Sequence, residues 1–280
     1  MELAILLFGL GAIAFCHYEN NFLDITNIKV KGNVEQNIRI IQLSDLHSKE
    51  FGKNNKKLLK SILKSKGDIV FATGDMIDSS MKNMDKIISF LSELNKYLPV
   101  IYIPGNNEMR CAGLDQILNN LKKNNIIVLQ NQIKNIRIKS NDINILGLVE
   151  ERVDDGEYFY QKVDSKYLYK DCNKIFRELE RREGLKLVLS HYPENFEGIG
   201  NKSYCKYNID IVFSGHAHGG QFILPFIGGL FAPGQGILPK YYKGIHGKES
   251  KLIISRGLGN SGFPLRLFNR PEIVIVDIEK

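Results

Sequence analysis

Five short hydrophobic runs in this chain of 280 residues stop at side chains that can bind a metal ion. Ile38–Leu43 is followed by Asp45 and His47, and Asp68–Ala72 by Asp75. Pro99–Ile103 is followed by Asn106, the run after Gly184 by His191, and Ile209–Phe213 by His216 and His218. Taken singly, each stop has an ordinary reading. Asp-x-His begins many turns, Gly74-Asp75 and Gly105-Asn106 fit tight turns, and a histidine before Tyr192-Pro193 fits a satisfied core position. The alternating histidines of Gly215-His216-Ala217-His218 are harder to assign to packing. Together and in this order, the five stops describe a metal centre. Carboxylate, imidazole and amide oxygen suit divalent Mn, Fe, Zn or Ni. With no cysteine among the candidates, a structural zinc site is disfavoured.

Positioning these groups falls to strands and helices that the pattern makes visible. Lys56–Ser65 places Leu58, Leu59, Ile62 and Leu63 on one helical face, and Met84–Tyr97 does the same with Ile87, Ile88, Leu91 and Leu94. With a third helix near Leu114–Lys122, the first half alternates strand and helix, which predicts a partly parallel sheet covered by helices. Strand-like runs at Ile126–Leu129, Ile133–Ile138 and Ile143–Leu148 follow, then a helix around Asp171–Arg182. Further strands at Leu185–Leu189, Ile209–Phe213, Leu252–Ser255 and Ile273–Ile278 predict a second, mixed sheet. Ligands of open α/β sheets gather beyond the carboxyl ends of the strands, so the seven candidates are expected in one crevice. The Gly/Pro-rich stretch Gly219–Lys240 is too long for an idle connection. Its apolar character suits a substrate cleft or a contact with lipid.

Composition sets wider bounds. Hydrophobic residues at 43% and charged residues at 25% belong to an ordinary globular protein. The formal charge of +7 is compatible with nucleic acid, an anionic membrane or phosphorylated substrates, but no dense basic block interleaved with aromatics appears. Lys-rich stretches such as Lys53–Lys66 read as solvated helix faces. Cys16, Cys111, Cys172 and Cys205 lack CxxC spacing, which argues against a disulfide framework. At the N-terminus, Leu3–Phe15 is uninterrupted by charge, and residues 1–18 form a marginal span. No Lys or Arg precedes this segment, so an uncleaved membrane anchor is preferred over a signal peptide or buried helix, with the side of the membrane open. Residues 27–280 then make the functional domain, in two sheets.

The order Asp45-x-His47, Gly74-Asp75, Gly105-Asn106, His191, Gly215-His216-x-His218 resembles the signature of calcineurin-like metallophosphoesterases. Gly219-Gly220-Gln221, Ser255-Arg256-Gly257 and Pro264-Leu265-Arg266 are similar to a narrower bacterial branch of YaeI- and YkuE-like phosphodiesterases, often with an N-terminal membrane or export segment. The resemblance implies a four-layer α/β/β/α sandwich of two mixed sheets. It places Asp45, His47 and His218 on a first metal, and Asn106, His191 and His216 on a second, with Asp75 bridging. In the implied mechanism two ions so held would be ~3.5–4 Å apart and would supply a hydroxide for in-line attack on phosphorus. Of the four candidate ions Mn is favoured. Asp75, Asn107 and His216 are the expected catalytic residues, and Arg256 and Arg266 the expected clamps on a phosphate oxygen.

One position departs from the family pattern. Where the family usually carries Gly-Asn-His, this chain has Gly105-Asn106-Asn107-Glu108. An amide cannot protonate a leaving group, a loss worth roughly 10²–10⁴ in rate for a poor leaving group. His246 is a candidate substitute, with a solvated loop as its ordinary reading. The expected activity is phosphodiester hydrolysis, on a substrate that is lipid-linked, nucleotide-containing or a small diester. A nuclease on the same scaffold and a weakly active or non-catalytic metal-binding relative are the alternatives. No protein partner is expected.

Overall fold

The computed structural model describes residues 1–149, 172–198, 203–260 and 262–280. Helix α1 (Glu2–Asn21) is followed by β1 (Asp24–Lys31), β2 (Ile38–Leu43), α2 (Lys56–Lys64), β3 (Ile69–Thr73), α3 (Met84–Asn95) and β4 (Val100–Ile103). A short α4 (Asn106–Arg110), α5 (Leu114–Lys123) and β5 (Ile127–Val128) complete the first half. The second half opens with β6 (Gln132–Ile138), β7 (Asn141–Gly147), α6 (Cys172–Glu180), β8 (Leu185–Leu189) and β9 (Ile211–Ser214). Two small hairpins follow: β10 (Ile223–Leu224) with β11 (Gly228–Gly229), and β12 (Phe231–Ala232) with β13 (Gly236–Ile237). The chain ends with β14 (Gly244–His246), β15 (Lys251–Ile254) and β16 (Glu272–Glu279). Asp171, at the start of the helix expected around Asp171–Arg182, lies outside the described residues.

Two large mixed sheets result. The first has the order β1-β16-β2-β3-β4-β5, with β2 to β5 parallel and β16 antiparallel to β2. In the second, ordered β14-β15-β9-β8-β7-β6, four central strands are parallel and both edges antiparallel. Period-two alternation gives each buried strand two apolar faces with different partners. Ile41, Leu43, Val70, Ala72 and Val100 face Leu58 and Ile62 of α2, Ile87 and Leu91 of α3, and Ile117 and Leu121 of α5. Their neighbours Ile40, Ile69, Phe71 and Ile101 meet Leu187, Leu189, Ile211, Phe213 and Ile253 of the second sheet. Phe71 and Phe213 join edge to face across this interior, with centroids 5.1 Å apart. Leu146, Val188, Val212 and Leu252 turn outward against Ile175, Phe176 and Leu179 of α6 and Tyr204 and Tyr207. Three apolar cores therefore separate four layers, the α/β/β/α sandwich that the family resemblance implies.

Two strands escape the sequence pattern. β1 alternates partly buried and exposed residues, with Thr26 and Lys29 among them, and its place beside β16 is a parallel pairing across the whole length of the chain. β14 holds a single edge. The Gly219–Lys240 stretch, too long for an idle connection, contains the two small hairpins.

Helix α1 is 20 residues long and is long and apolar enough to cross a membrane by length and composition. At 1.5 Å per residue it reaches about 30 Å, the thickness of a bilayer's hydrocarbon core. The helix continues past the apolar run 3–15 to Asn21, and its last turn is tied down. The backbone N–H of Asn269 donates to Glu19 Oε2 at 3.0 Å, and that of Arg266 to Asn20 Oδ1 at 3.1 Å. Lys49 Nζ donates to the Asn20 carbonyl, and Phe15 packs on Phe268 with ring centroids 5.6 Å apart.

Candidate metal centre

β2, β3 and β4 run parallel in one sheet, β8 and β9 in the other, and all five deliver a candidate ligand just past their carboxyl ends. Backbone bonds lock the turns together: Asp45 N–H donates to Gly74 O and His47 N–H to Asp75 O, both at 2.9 Å, and Gly215 N–H to His191 O at 3.2 Å. Asp45, His47, Asp75, His216 and His218 all have positive φ, between 48° and 66°. Left-handed backbone costs non-glycine residues about 1–3 kcal/mol each and persists only where the surroundings dictate it. It turns five side chains sharply off the strand axes into one crevice. The glycines before them make room. A Cβ on Gly105 would lie 2.3 Å from Asp75 Oδ1, and one on Gly215 would lie 1.9 Å from Ser44 Oγ and 2.3 Å from Asp45 Oδ2.

The ligand atoms of Asp45, His47 and His218 lie within 4.8 Å of one another, as do those of Asp45, Asp75 and His191. His218 Nε2 is 3.4 Å from Asp45 Oδ1 and 3.1 Å from His47 Nε2. Asp75 Oδ2 is 3.6 Å from His47 Nε2 and 3.5 Å from His191 Nε2. Asn106 Oδ1 approaches His191 Nε2 to 3.1 Å. His216 stands at the margin. Its backbone N–H donates to Asp45 Oδ1 at 3.0 Å, and its ring meets those of His191 and Tyr192 edge-on, with Nε2 4.0 Å from Glu194 Oε1.

Electrostatics fit this donor set to a cation. Asp45 and Asp75 are buried side by side; burial and the Asp75 charge push the Asp45 carboxyl above its usual range. Despite burial, His191 and His47 hold Asp75 well below it. His191 itself, buried but facing Asp75 and Asp45, is raised to about 10. Its Nδ1 lies 2.8 Å from Thr73 O, an acceptor, so the N–H belongs there and Nε2 faces the carboxylates. Burial, His47 and Arg266 press His218 well below its ordinary value, keeping it neutral as a ligand must be. Two buried carboxylates surrounded by imidazoles form a cradle whose charge balance improves when a divalent ion enters.

Glu108 escaped the sequence reading as a functional residue. Fully buried, it accepts the backbone N–H groups of Asp75 and Gly105 on Oε2 and that of Ile77 on Oε1, each at 2.9 Å. It thereby clamps the Gly74-Asp75 turn to the Gly105-Asn106 turn. Burial and the neighbouring Asp75 push its carboxyl up to about 7. The signal was present: a glutamate three residues after the N-cap Gly105 has the spacing of a capping glutamate.

The centre opens into a crevice of about 390 Å³. Besides ligand candidates, Asp78, Asn107, Arg110, Pro233, Asn260 and Gly262 line it. A larger hollow of about 710 Å³ lies around Asn33, Asn141 and Gly184, away from the metal-binding side chains. Arg256 and Arg266, the expected phosphate clamps, are not among the residues that line the crevice. Arg256 is bound to Glu272 and Asp24, each at 2.9 Å. Arg266 is fully buried, donates to the carbonyls of Gly259, Arg256 and Asn269, and sets Nη2 3.4 Å from His218 Nδ1. Their Gly-rich segment packs beneath the metal-binding turns, where a guanidinium finds backbone carbonyls before it finds substrate. Arg110 is the cation that reaches the crevice instead. His246 is also outside it, 3.0 Å from the Lys243 carbonyl and edge-on to Tyr241.

Comparison with known proteins agrees with this geometry. A family model for calcineurin-like phosphoesterases matches residues 38–220. An uncharacterized metallophosphoesterase of Aquifex aeolicus is 29% identical over 279 residues, covering 95% of either chain. The uncharacterized metallophosphoesterase YkuE of Bacillus subtilis is 24% identical over 280 residues, covering 96% of this chain and 90% of its own. Among solved structures, TT1561 of Thermus thermophilus shares the fold with a TM-score of 0.52 at 14% identity, covering 80% of this chain and 92% of its own. With the match spanning all the strand ends that carry the metal-binding side chains, the chain belongs to the calcineurin-like phosphoesterases and is a metal-dependent phosphoesterase by family.

Proposed function

We propose that the chain is a binuclear phosphodiesterase held at a membrane by α1. The observation that carries the binuclear reading is the position of Asp75, whose Oδ2 faces His47 Nε2 at 3.6 Å and His191 Nε2 at 3.5 Å. Asp45, His47 and His218 would hold one ion, and Asn106, His191 and His216 the other, with Asp75 shared. Mn²⁺ is favoured over Fe²⁺, Zn²⁺ and Ni²⁺. When bound, the ions supply Lewis acidity to the phosphoryl oxygens and acidify the attacking water.

The protein's own residues bind and orient. Arg110 is the cationic side chain, imidazoles aside, among the described residues of the crevice, and Asp78 lines the same wall. So little protein charge suits the single negative charge of a phosphodiester better than the double charge of a monoester. Asn107 orients but carries no acidic proton, which favours esters whose leaving group departs as a stable anion. The substrate class that fits is a lipid-linked or nucleotide-containing diester.

Hydrolysis of bis(p-nitrophenyl) phosphate by the full chain, with and without Mn²⁺, tests this reading. Metal-dependent turnover that vanishes in Asp75→Asn supports it. A folded, metal-loaded protein that turns over no phosphoester supports the second reading, a metal-binding relative without activity, to which Asn107 also points.

A further inference from the structure

The exposed apolar side chains of this protein are unevenly placed. Past residue 22, every exposed large hydrophobic among the described residues lies in 226–238 or 263–268, apart from Ile25, Tyr97 and Ile245. Phe226 is wholly exposed, and Ile237 is 76% exposed. These two segments are one surface. Phe222 and Phe263 meet edge-on with centroids 5.5 Å apart, and Gln221 Nε2 donates to the carbonyls of Phe263 and Leu265. Ile223 N–H donates to Leu267 O at 3.0 Å, and the next residue, Phe268, packs on Phe15 of α1. An apolar strip thus runs unbroken from the helix to the hairpin tip at Phe226. Pro233 of the first segment lines the metal crevice, as do Asn260 and Gly262 just before the second.

We propose that this apolar rim, Phe226, Ile237 and Phe263 foremost, seats in the membrane interface beside α1, so that the metal crevice takes its phosphodiester from a lipid headgroup. The inference rests on the phosphoesterase and anchor readings above. Its occupant is a bilayer because the strip is continuous with a helix of bilayer length. Of the two lysines that follow the second hairpin, Lys240 is paired with Glu197, while Lys243, over the Tyr242 ring, is the cation proposed to meet lipid phosphate.

The chain contains no tryptophan, so one introduced residue reports its own surroundings. The full chain is reconstituted into phosphatidylcholine–phosphatidylglycerol vesicles, with and without brominated acyl chains. Bromine should cut the emission of Phe226→Trp, Ile237→Trp and Phe8→Trp by about twofold or more, and leave Tyr97→Trp unchanged. Tyr97 precedes β4 at the amino ends of the strands, opposite the crevice. Quenching in Phe8→Trp but not in the two rim variants overturns the docking. No quenching in Phe8→Trp overturns the anchor on which it rests.

The substrate class has its own arm. In the same vesicles, a diacylglycerol p-nitrophenyl phosphodiester is compared with soluble bis(p-nitrophenyl) phosphate. The double variant Phe226→Asp, Ile227→Asp should lose about tenfold on the lipid and nothing on the soluble ester. Equal losses on both, or no loss on either, overturn the headgroup proposal. A parent that cleaves neither ester overturns the phosphoesterase reading, while the quenching result still decides the docking.

Discussion

Asn107 holds both oxygens of Asp75: its backbone N–H donates to Oδ1 at 2.7 Å and its side-chain amide to Oδ2 at 2.6 Å. The residue standing where the resemblance leads one to expect a proton donor is therefore a positioning group for the Asp75 carboxylate. It donates hydrogen bonds, but no proton leaves it.

Substituting Asn107→His should restore a general acid while keeping a donor toward Asp75. Hydrolysis of a dialkyl phosphate is expected to rise by up to about 10²–10⁴-fold, and hydrolysis of bis(p-nitrophenyl) phosphate to change little, because p-nitrophenolate needs no proton. The comparison is of kcat on the two esters at equal metal content. No gain on the alkyl ester with metal content unchanged would mean that protonation of the leaving group does not limit this enzyme.

Metal binding should release protons. In the metal-free protein His191 is raised to about 10 by Asp75 and Asp45, against the cost of burial. A raised folded value means that His191 contributes stability that is complete below its unfolded value near 6.5 and is lost as pH climbs through 10. To accept a metal on Nε2 the ring must be neutral, so ion and proton compete. At pH 7.5, calorimetry in buffers of different ionisation enthalpy should show release of roughly one proton attributable to His191. Affinity should keep rising to about pH 10, and His191→Asn should remove that component. A proton count that is the same in both proteins would disprove the competition.

Gly215→Ala tests how closely the two sheets meet at the centre. The added Cβ would stand 2.3 Å from Asp45 Oδ2 and 1.9 Å from Ser44 Oγ, contacts no real side chain tolerates. Asp45 must move, and both candidate clusters contain it. Bound metal should fall well below the parent's content, with a stability loss of about 1–3 kcal/mol. Elemental analysis and thermal melting read the two effects separately. Full metal content would show that Asp45 is not needed where the structure puts it.

The strands that carry ligand candidates were legible because their signals are local. Ile38–Leu43 and Leu185–Leu189 have the same limits in sequence pattern and structure, and the polar residue after each is where the hydrophobic run must stop. β1 was not legible, since its alternating polar face is that of an edge strand and its partner β16 lies at the other end of the chain. The surroundings of the arginines were hidden for a related reason. Arg256 and Arg110 look alike in sequence, and only packing shows that one meets Glu272 and the other the crevice. Glu108 could have been found from its spacing to Gly105, had the turn been recognised as a helix N-terminus.

The junction of α1 with the catalytic layer carries a pH signature of its own. Lys49 Nζ donates to the Asn20 carbonyl in the last turn of α1 and lies 5.1 Å from the centroid of the Phe51 ring. Burial, with Arg266 nearby, lowers its ammonium to about 8. Between about 8 and its ordinary value near 10.5, the unfolded chain keeps this proton and the folded chain does not, so the Lys49 contribution to stability rises with pH across that window. Below pH 8 both states carry the charge and the cost of burying it is constant. Lys49→Met removes the cost and also one hydrogen bond worth about 1 kcal/mol. The variant should therefore melt higher than the parent below pH 8, with the difference shrinking as pH rises toward 10.5. Other titrations, that of His191 included, cancel in the difference between the two proteins. A variant that melts lower at every pH would show the bond to Asn20 outweighing the buried charge, making Lys49 chiefly a fastener for α1.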